Sequence, residues 1–125
     1  MTQMPIQESG EMYLESILVL SKEKNVVRAV DISAYMGLSK PAVSRALSKL
    51  REEKLILIDK EGYIAFTENG RRIADNINKK HVLLTELIMR LGVDEETAAE
   101  DACKIEHVIS DKTFEAMINH SKKHT

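Results

Sequence analysis

The stretch VDISAYMGLSKPAVSRALSKLREE, residues 30–53, decides the fold. Residues 30–36 read as a short helix with Asp31 in its first turn, where the helix dipole favours an anion. Gly37 ends that helix as a C-cap glycine does. Ser39 then caps a second helix, Pro41 sits in its first turn, and Val43, Leu47 and Leu50 form an apolar stripe reaching about Glu53. Two helices joined by a tight glycine turn make a helix-turn-helix pattern. Directly after it, residues 55–58 and 63–66 are β-prone and flank Asp59-Lys60-Glu61-Gly62, which predicts a hairpin. Together they read as a winged helix-turn-helix.

Helical spacing continues on both sides. Residues 9–22 place Tyr13, Leu14, Ile17, Leu18 and Leu20 on a helical stripe, with Ser9 as the expected N-cap. Thr67 caps a long helix, about 67–91, in which Ile73, Ile77, His81, Leu84, Ile88 and Leu91 recur at steps of three and four. Gly92 is its stop, and Asp94 caps a fifth helix expected to reach about residue 109. Ser110 or Asp111 starts a short final helix through Phe114, Met117 and Ile118, and the polar tail 121–125 is expected to fray. The predicted fold class is mostly α, with the hairpin as its small β element. A boundary falls inside the 67–91 helix.

The chain has 125 residues, 43% hydrophobic and 30% charged, so it can build a core and lacks the composition of a disordered chain. No apolar run approaches the ~18 residues that a membrane span needs, and the start lacks the basic-then-apolar pattern of a secretory signal. One cysteine excludes an internal disulfide framework, and a cytoplasmic location is expected. The net charge of −2 hides a division. Residues 22–90 hold 14 Lys and Arg against 9 Asp and Glu, a net of +5, while the rest hold 4 against 11, a net of −7. A basic middle suits a polyanion partner, although solvated helix faces also scatter charge unevenly.

The second helix of the helix-turn-helix presents Ser39, Ser44 and Arg45 near its N-terminus and Lys49 a turn further on. In such folds this end faces base edges in the major groove of double-stranded DNA. Arg45 can read a guanine or a phosphate, and the two serines can reach either. Arg28 and the wing residue Lys60 are placed to meet the phosphate backbone. The plainer alternative is a winged helix for protein contact with solvated Lys and Arg.

Cys103, Glu106 and His107 stand at i, i+3 and i+4, which puts thiolate, carboxylate and imidazole on one helix face. That combination makes a half-site for a divalent transition metal. Singly, each has a duller reading: a buried cysteine as filler, a structural His or Glu. Two places offer further ligands. Met12 and Glu15 are i, i+3 neighbours on the first helix, where Met12 alone reads as core; His81 interrupts an apolar stripe, where a satisfied core histidine is the default. His120 and His124 read as surface residues.

Three blocks carry a resemblance: Glu11-Met12-Tyr13-Leu14-Glu15, Ser39-Lys40-Pro41-Ala42-Val43-Ser44, and Asp101-Ala102-Cys103-Lys104-Ile105-Glu106-His107. With them the chain resembles the iron-dependent repressor family, of the diphtheria toxin repressor and manganese transport regulator type, over about residues 8–119. The resemblance implies a winged-helix DNA-binding domain (1–72) and a helical metal-binding and dimerisation domain (73–125), with the long helix shared. It implies a homodimer on a palindromic operator, acting as a metal-dependent transcriptional repressor of metal-uptake genes. Met12, Cys103, Glu106 and His107 match the activating site of the iron-responsive members, and Pro41 falls in the DNA-recognition block. Manganese-responsive members usually carry carboxylates at the positions of Met12 and Cys103. Sulfur donors favour Fe(II), Co(II) or Ni(II) over Mn(II), which agrees with the family pattern, so Fe(II) is the expected metal and Mn(II) the second.

The departures from the pattern are specific. Thr85 and Ala99 stand where iron-type members have the glutamate and histidine of an ancillary site, and the chain ends before their SH3-like domain. Glu15 matches a ligand of the manganese-type cluster, so Glu15 and His81 form a possible second site. A winged-helix regulator sensing redox state or a small molecule through Cys103 is the rival reading. No enzyme is expected: Cys103 and His107 share one helix with neither an oxyanion loop nor a third orienting group.

Overall fold

The computed structural model describes residues 8–123. In chain order these form α1 (Glu8–Glu23), α2 (Ala29–Met36), α3 (Lys40–Glu52), β1 (Ile56–Ile58), β2 (Ile64–Phe66), α4 (Glu68–Arg90), α5 (Glu95–Ile105) and α6 (Asp111–Lys123). The fold is mostly α with one antiparallel hairpin. Two compact units divide between Asp75 and Asn76, inside α4.

Local chemistry sets most boundaries of the first unit. The Arg28 backbone N–H donates to Asp31 Oδ2 at 2.9 Å, which closes the first turn of α2. Gly37 ends α2 in the left-handed region, φ 69°, where a Cβ would be strained. The Ala42 N–H donates to Ser39 Oγ at 3.2 Å, satisfying one orphan donor at the start of α3. Lys54 also adopts a positive φ, 63°, and turns the chain from α3 into the wing without a glycine. In the hairpin Ile56 pairs with Phe66, Leu57 with Ala65 and Ile58 with Ile64. The Asp59 carboxylate ties its turn by accepting from the Glu61 and Tyr63 N–H groups at 3.0 and 2.9 Å.

Tyr13, Leu14, Ile17 and Leu18 of α1 pack with Ile32 of α2, Val43, Leu47 and Leu50 of α3, and Ile56 and Ile64 of the wing. The predicted stripes of α1 and α3 are thus the core of this unit. Gly70, in the first turn of α4, seats against the Leu55 backbone so closely that an added Cβ would lie 1.8 Å from the Leu55 carbonyl oxygen. Thr67 anchors the same junction: its hydroxyl donates to Lys54 O at 2.8 Å and accepts from the Gly70 N–H at 3.0 Å.

In the second unit, Leu84, Ala102 and Phe114 form the centre of a smaller core, flanked by Leu83, Ile88, Ile105, Ile109 and Ile118. Asp94 accepts from the Thr97 N–H at 3.0 Å and caps α5, as expected. Ser110 accepts from the Thr113 N–H at 3.1 Å and starts α6.

Several sequence expectations are corrected. The chain is already helical at Glu8, so Ser9 lies inside α1 and is not its cap. Helix α5 stops at Ile105, not near 109, because a tighter turn with a Val108 N–H to Ile105 O bond takes over. Leu91 is 83% exposed and falls past the end of α4, outside the stripe assigned to it. Helix α6 runs to Lys123, so the predicted frayed tail is helical through 121–123; residues 124 and 125, with His124, lie outside the described residues.

Candidate metal centre and nucleic-acid interface

The end of α5 builds the metal candidate. Ala98 and Ala102 are buried, and their small side chains let this helix pack closely in its unit. Cys103 follows in the last turn. Glu106 is the C-cap, yet it keeps helical dihedrals (φ −60°, ψ −24°), and its N–H still donates to Ala102 O at 2.9 Å. The i, i+3 relation of Cys103 to Glu106 therefore outlasts the helix. His107 begins the turn beyond.

One ligand atom from each of Cys103, Glu106 and His107 lies within 4.8 Å of the others. Glu106 is only 1% exposed, although carboxylates avoid full burial unless they are paired. His81 Nδ1 lies 2.9 Å from Oε1, within hydrogen-bond distance, and His107 Nε2 lies 3.3 Å from Oε2. His81 sits on α4, where the Thr85 hydroxyl donates to its carbonyl oxygen at 2.7 Å. The Cys103 thiol, the buried Glu106 carboxylate and the His107 imidazole form a mixed soft and hard donor set that fits a divalent transition ion. Cys103, Glu106 and His107 are thus brought together, and His81 is brought to Glu106.

Met12 and Glu15 belong to α1 of the first unit. Met12 is 39% exposed amid the buried residues of that helix, so the reading of this methionine as core is corrected. Its carbonyl accepts from Ser16 Oγ at 2.8 Å, an ordinary i, i+4 bond that leaves the thioether out of the backbone network. Glu15 is half-buried.

The first unit also presents the nucleic-acid candidate. Along α3, Val43, Leu47 and Leu50 turn inward, so Pro41, Ser44, Arg45 and Lys49 are exposed together with Ser39 at the cap. Pro41, Ser44, Arg45, Ser48, Lys49 and Glu52 line one shallow groove. Sequence reasoning missed Ser48 and Glu52, whose i+4 and i+3 spacing from Ser44 and Lys49 was the available signal. Ser39 spends its oxygen as an acceptor on the Ala42 N–H, which leaves its hydroxyl proton to donate elsewhere. Arg28 is exposed at the start of α2, and Lys60 is exposed in the wing turn. Among the described residues no helix is long and apolar enough to cross a membrane.

Comparison with known proteins covers both units. Residues 6–66 match the family described as iron dependent repressor, N-terminal DNA binding domain, and residues 67–124 match iron dependent repressor, metal binding and dimerisation domain. The chain is similar to the transcriptional regulator MntR of Escherichia coli O157:H7, 31% identical over 112 residues, covering 90% of this chain and 72% of that protein. It is 34% identical over 116 residues to an uncharacterized HTH-type transcriptional regulator, MJ0568, of Methanocaldococcus jannaschii, covering 90% of this chain and 91% of the relative. Among solved structures, that of the manganese regulator SloR superposes with a TM-score of 0.79 at 31% identity, covering 90% of this chain and 53% of that one. The chain therefore spans about half the length of that structure.

Proposed function

The chain belongs to the iron-dependent repressor family, a family of metal-dependent transcriptional repressors, and from that premise we propose that it is a cytoplasmic homodimer that represses metal-uptake genes at a palindromic operator. The observation that carries the reading is the buried Glu106 carboxylate set between the imidazoles of His81 and His107. Cys103, Glu106 and His107 would hold a divalent ion, which would supply the positive charge that a clustered carboxylate and thiolate call for.

Cys103, Glu106 and His107 hold the ion in this reading, and Met12 joins them as the family resemblance implies. Glu15 and His81 serve a second ion. In this reading a bound ion would favour one arrangement of the dimer, with its α3 helices at the spacing of two half-sites, and the metal-free chain would sample other spacings. A coupling of about 1–3 kcal/mol is typical of such linkage, roughly 5- to 150-fold in DNA affinity. Arg45 reads a base or a phosphate, Ser39, Pro41, Ser44 and Lys49 shape the contact, and Arg28 and Lys60 meet the backbone.

Fe(II) is the proposed metal, because Met12 and Cys103 offer two sulfur donors. The likeness to a structure described as a manganese regulator favours the second reading, Mn(II). Anaerobic titration of Fe(II), Mn(II), Co(II) and Zn(II) into chain and DNA, with bound metal counted in parallel, tests both. Equal DNA affinity with and without every metal would overturn the switch.

A further inference from the structure

The wing and the start of α2 meet at Arg28, whose contact with Tyr63 the proposed function leaves unused. The Ile64 N–H donates to Val27 O at 2.8 Å, so β2 holds the residue that precedes Arg28. On its other side the Arg28 N–H is fixed by Asp31 Oδ2 at 2.9 Å, and Lys24 Nζ lies 3.6 Å from the other Asp31 oxygen. The guanidinium carbon of Arg28 lies 5.3 Å from the centre of the Tyr63 ring, within cation–π range. Tyr63 is held in turn, since its own N–H donates to Asp59 Oδ1 in the wing turn.

Among the described residues no carboxylate pairs with the Arg28 guanidinium, whose carbon lies over the Tyr63 ring. A guanidinium held by a ring and by no carboxylate still offers its N–H donors, and their fork matches a phosphate. The backbone pins and the ring together limit where that fork can go, which reduces the ordering cost of each hydrogen bond it then makes.

We propose that Arg28 and Tyr63 form a pre-organised phosphate anchor for the DNA backbone, with Arg28 as the contact and Tyr63 as the positioning residue. The proposal rests on the DNA-binding reading. It makes the wing more than a second contact surface: through Tyr63 the wing sets the aim of a cation that belongs to the helix-turn-helix.

The test uses the full chain, Mn(II)-loaded, and a random-sequence duplex of roughly three helical turns, with affinity measured across a salt series. Arg28→Ala is expected to flatten the plot of log affinity against log salt by about 0.9 for each phosphate that the variant no longer neutralises. Tyr63→Leu is expected to weaken binding roughly two- to fivefold, the range that one exposed cation–π pair allows, and to flatten the plot in the same direction. Tyr63→Phe should keep wild-type binding, and the double variant Arg28→Ala/Tyr63→Leu should be no weaker than Arg28→Ala alone. An unchanged salt slope in Arg28→Ala would overturn the anchor. Fully additive losses in the double variant, or failure of Tyr63→Phe to rescue, would overturn the positioning role. If the wild-type chain bound no duplex at all, the failure would belong to the DNA-binding reading, and the anchor would fall with it.

Discussion

Replacing Gly70 with alanine should unfold the DNA-binding unit well below the wild-type melting temperature. An added Cβ would stand 1.8 Å from the Leu55 carbonyl oxygen and 2.8 Å from its carbon, where real Cβ contacts below 3.0 Å essentially never occur. The obstacle is backbone, so it cannot rotate away as a side-chain tip would. The start of α4 or the strand end must move, and the Thr67 bonds to Leu55 O (3.1 Å) and Lys54 O (2.8 Å) lie in the path of that movement. Overpacking of this kind costs up to about 3 kcal/mol. Alanine returns about 1 kcal/mol of helix propensity. The net loss is about 2 kcal/mol, which corresponds to a fall of about 8–16 °C in a unit of this size. The three tyrosines, Tyr13, Tyr35 and Tyr63, all lie in the first unit, so near-UV circular dichroism follows its melting separately. A Gly70→Ala variant melting at or above the wild-type temperature would refute the close seating of α4 on Leu55.

Other outcomes follow from the two candidate sites. Cys103→Ala or His107→Ala should abolish metal activation of DNA binding while circular dichroism stays that of a folded chain; metal-stimulated binding at the wild-type level would remove those residues from the ligand set. Metal affinity should also fall on acidification, because Cys103 ligates as thiolate and His107 as neutral imidazole; a pH-independent metal titration would contradict this. Arg45→Ala should weaken DNA binding with metal stoichiometry intact, and loss of both together would speak against separate roles. The double variant Met12→Asp/Cys103→Glu should shift preference from Fe(II) toward Mn(II), read as the ratio of activation midpoints; an unchanged ratio would place selectivity elsewhere. The Asp94 carboxyl is held below its ordinary 3.8 by the hydrogen bond from the Thr97 backbone N–H. Its charged form is thus favoured in the folded state, so its contribution is complete above the unfolded value and disappears as pH falls through the lower folded one. The stability gap between wild type and Asp94→Ala should be constant from neutral pH to about pH 5 and close below about pH 4; a gap that widens on acidification would reverse the assigned sign.

Much of the fold was legible because its signals are local. Caps such as Ser39, Thr67 and Asp94 act within one turn, and a stripe such as Val43, Leu47 and Leu50 repeats within a few turns, so both can be read along the chain. The end of α5 was misplaced because Ile105, Glu106, His107 and Val108 contain no glycine or proline to mark a stop. The positive φ of Lys54 was missed for the same reason, since a lysine does not announce a left-handed turn.

The sequence by itself determined the winged helix-turn-helix, the order of the helices and the Cys103, Glu106, His107 spacing, because each depends on residues at most a few turns apart. Only the tertiary structure brought His81 to Glu106, set Arg28 over Tyr63 and seated Gly70 against Leu55. Those contacts join elements distant in the chain. Their existence depends on how helix faces and strand ends pack in three dimensions, and periodicity along the sequence encodes which face is buried but not which atom it meets.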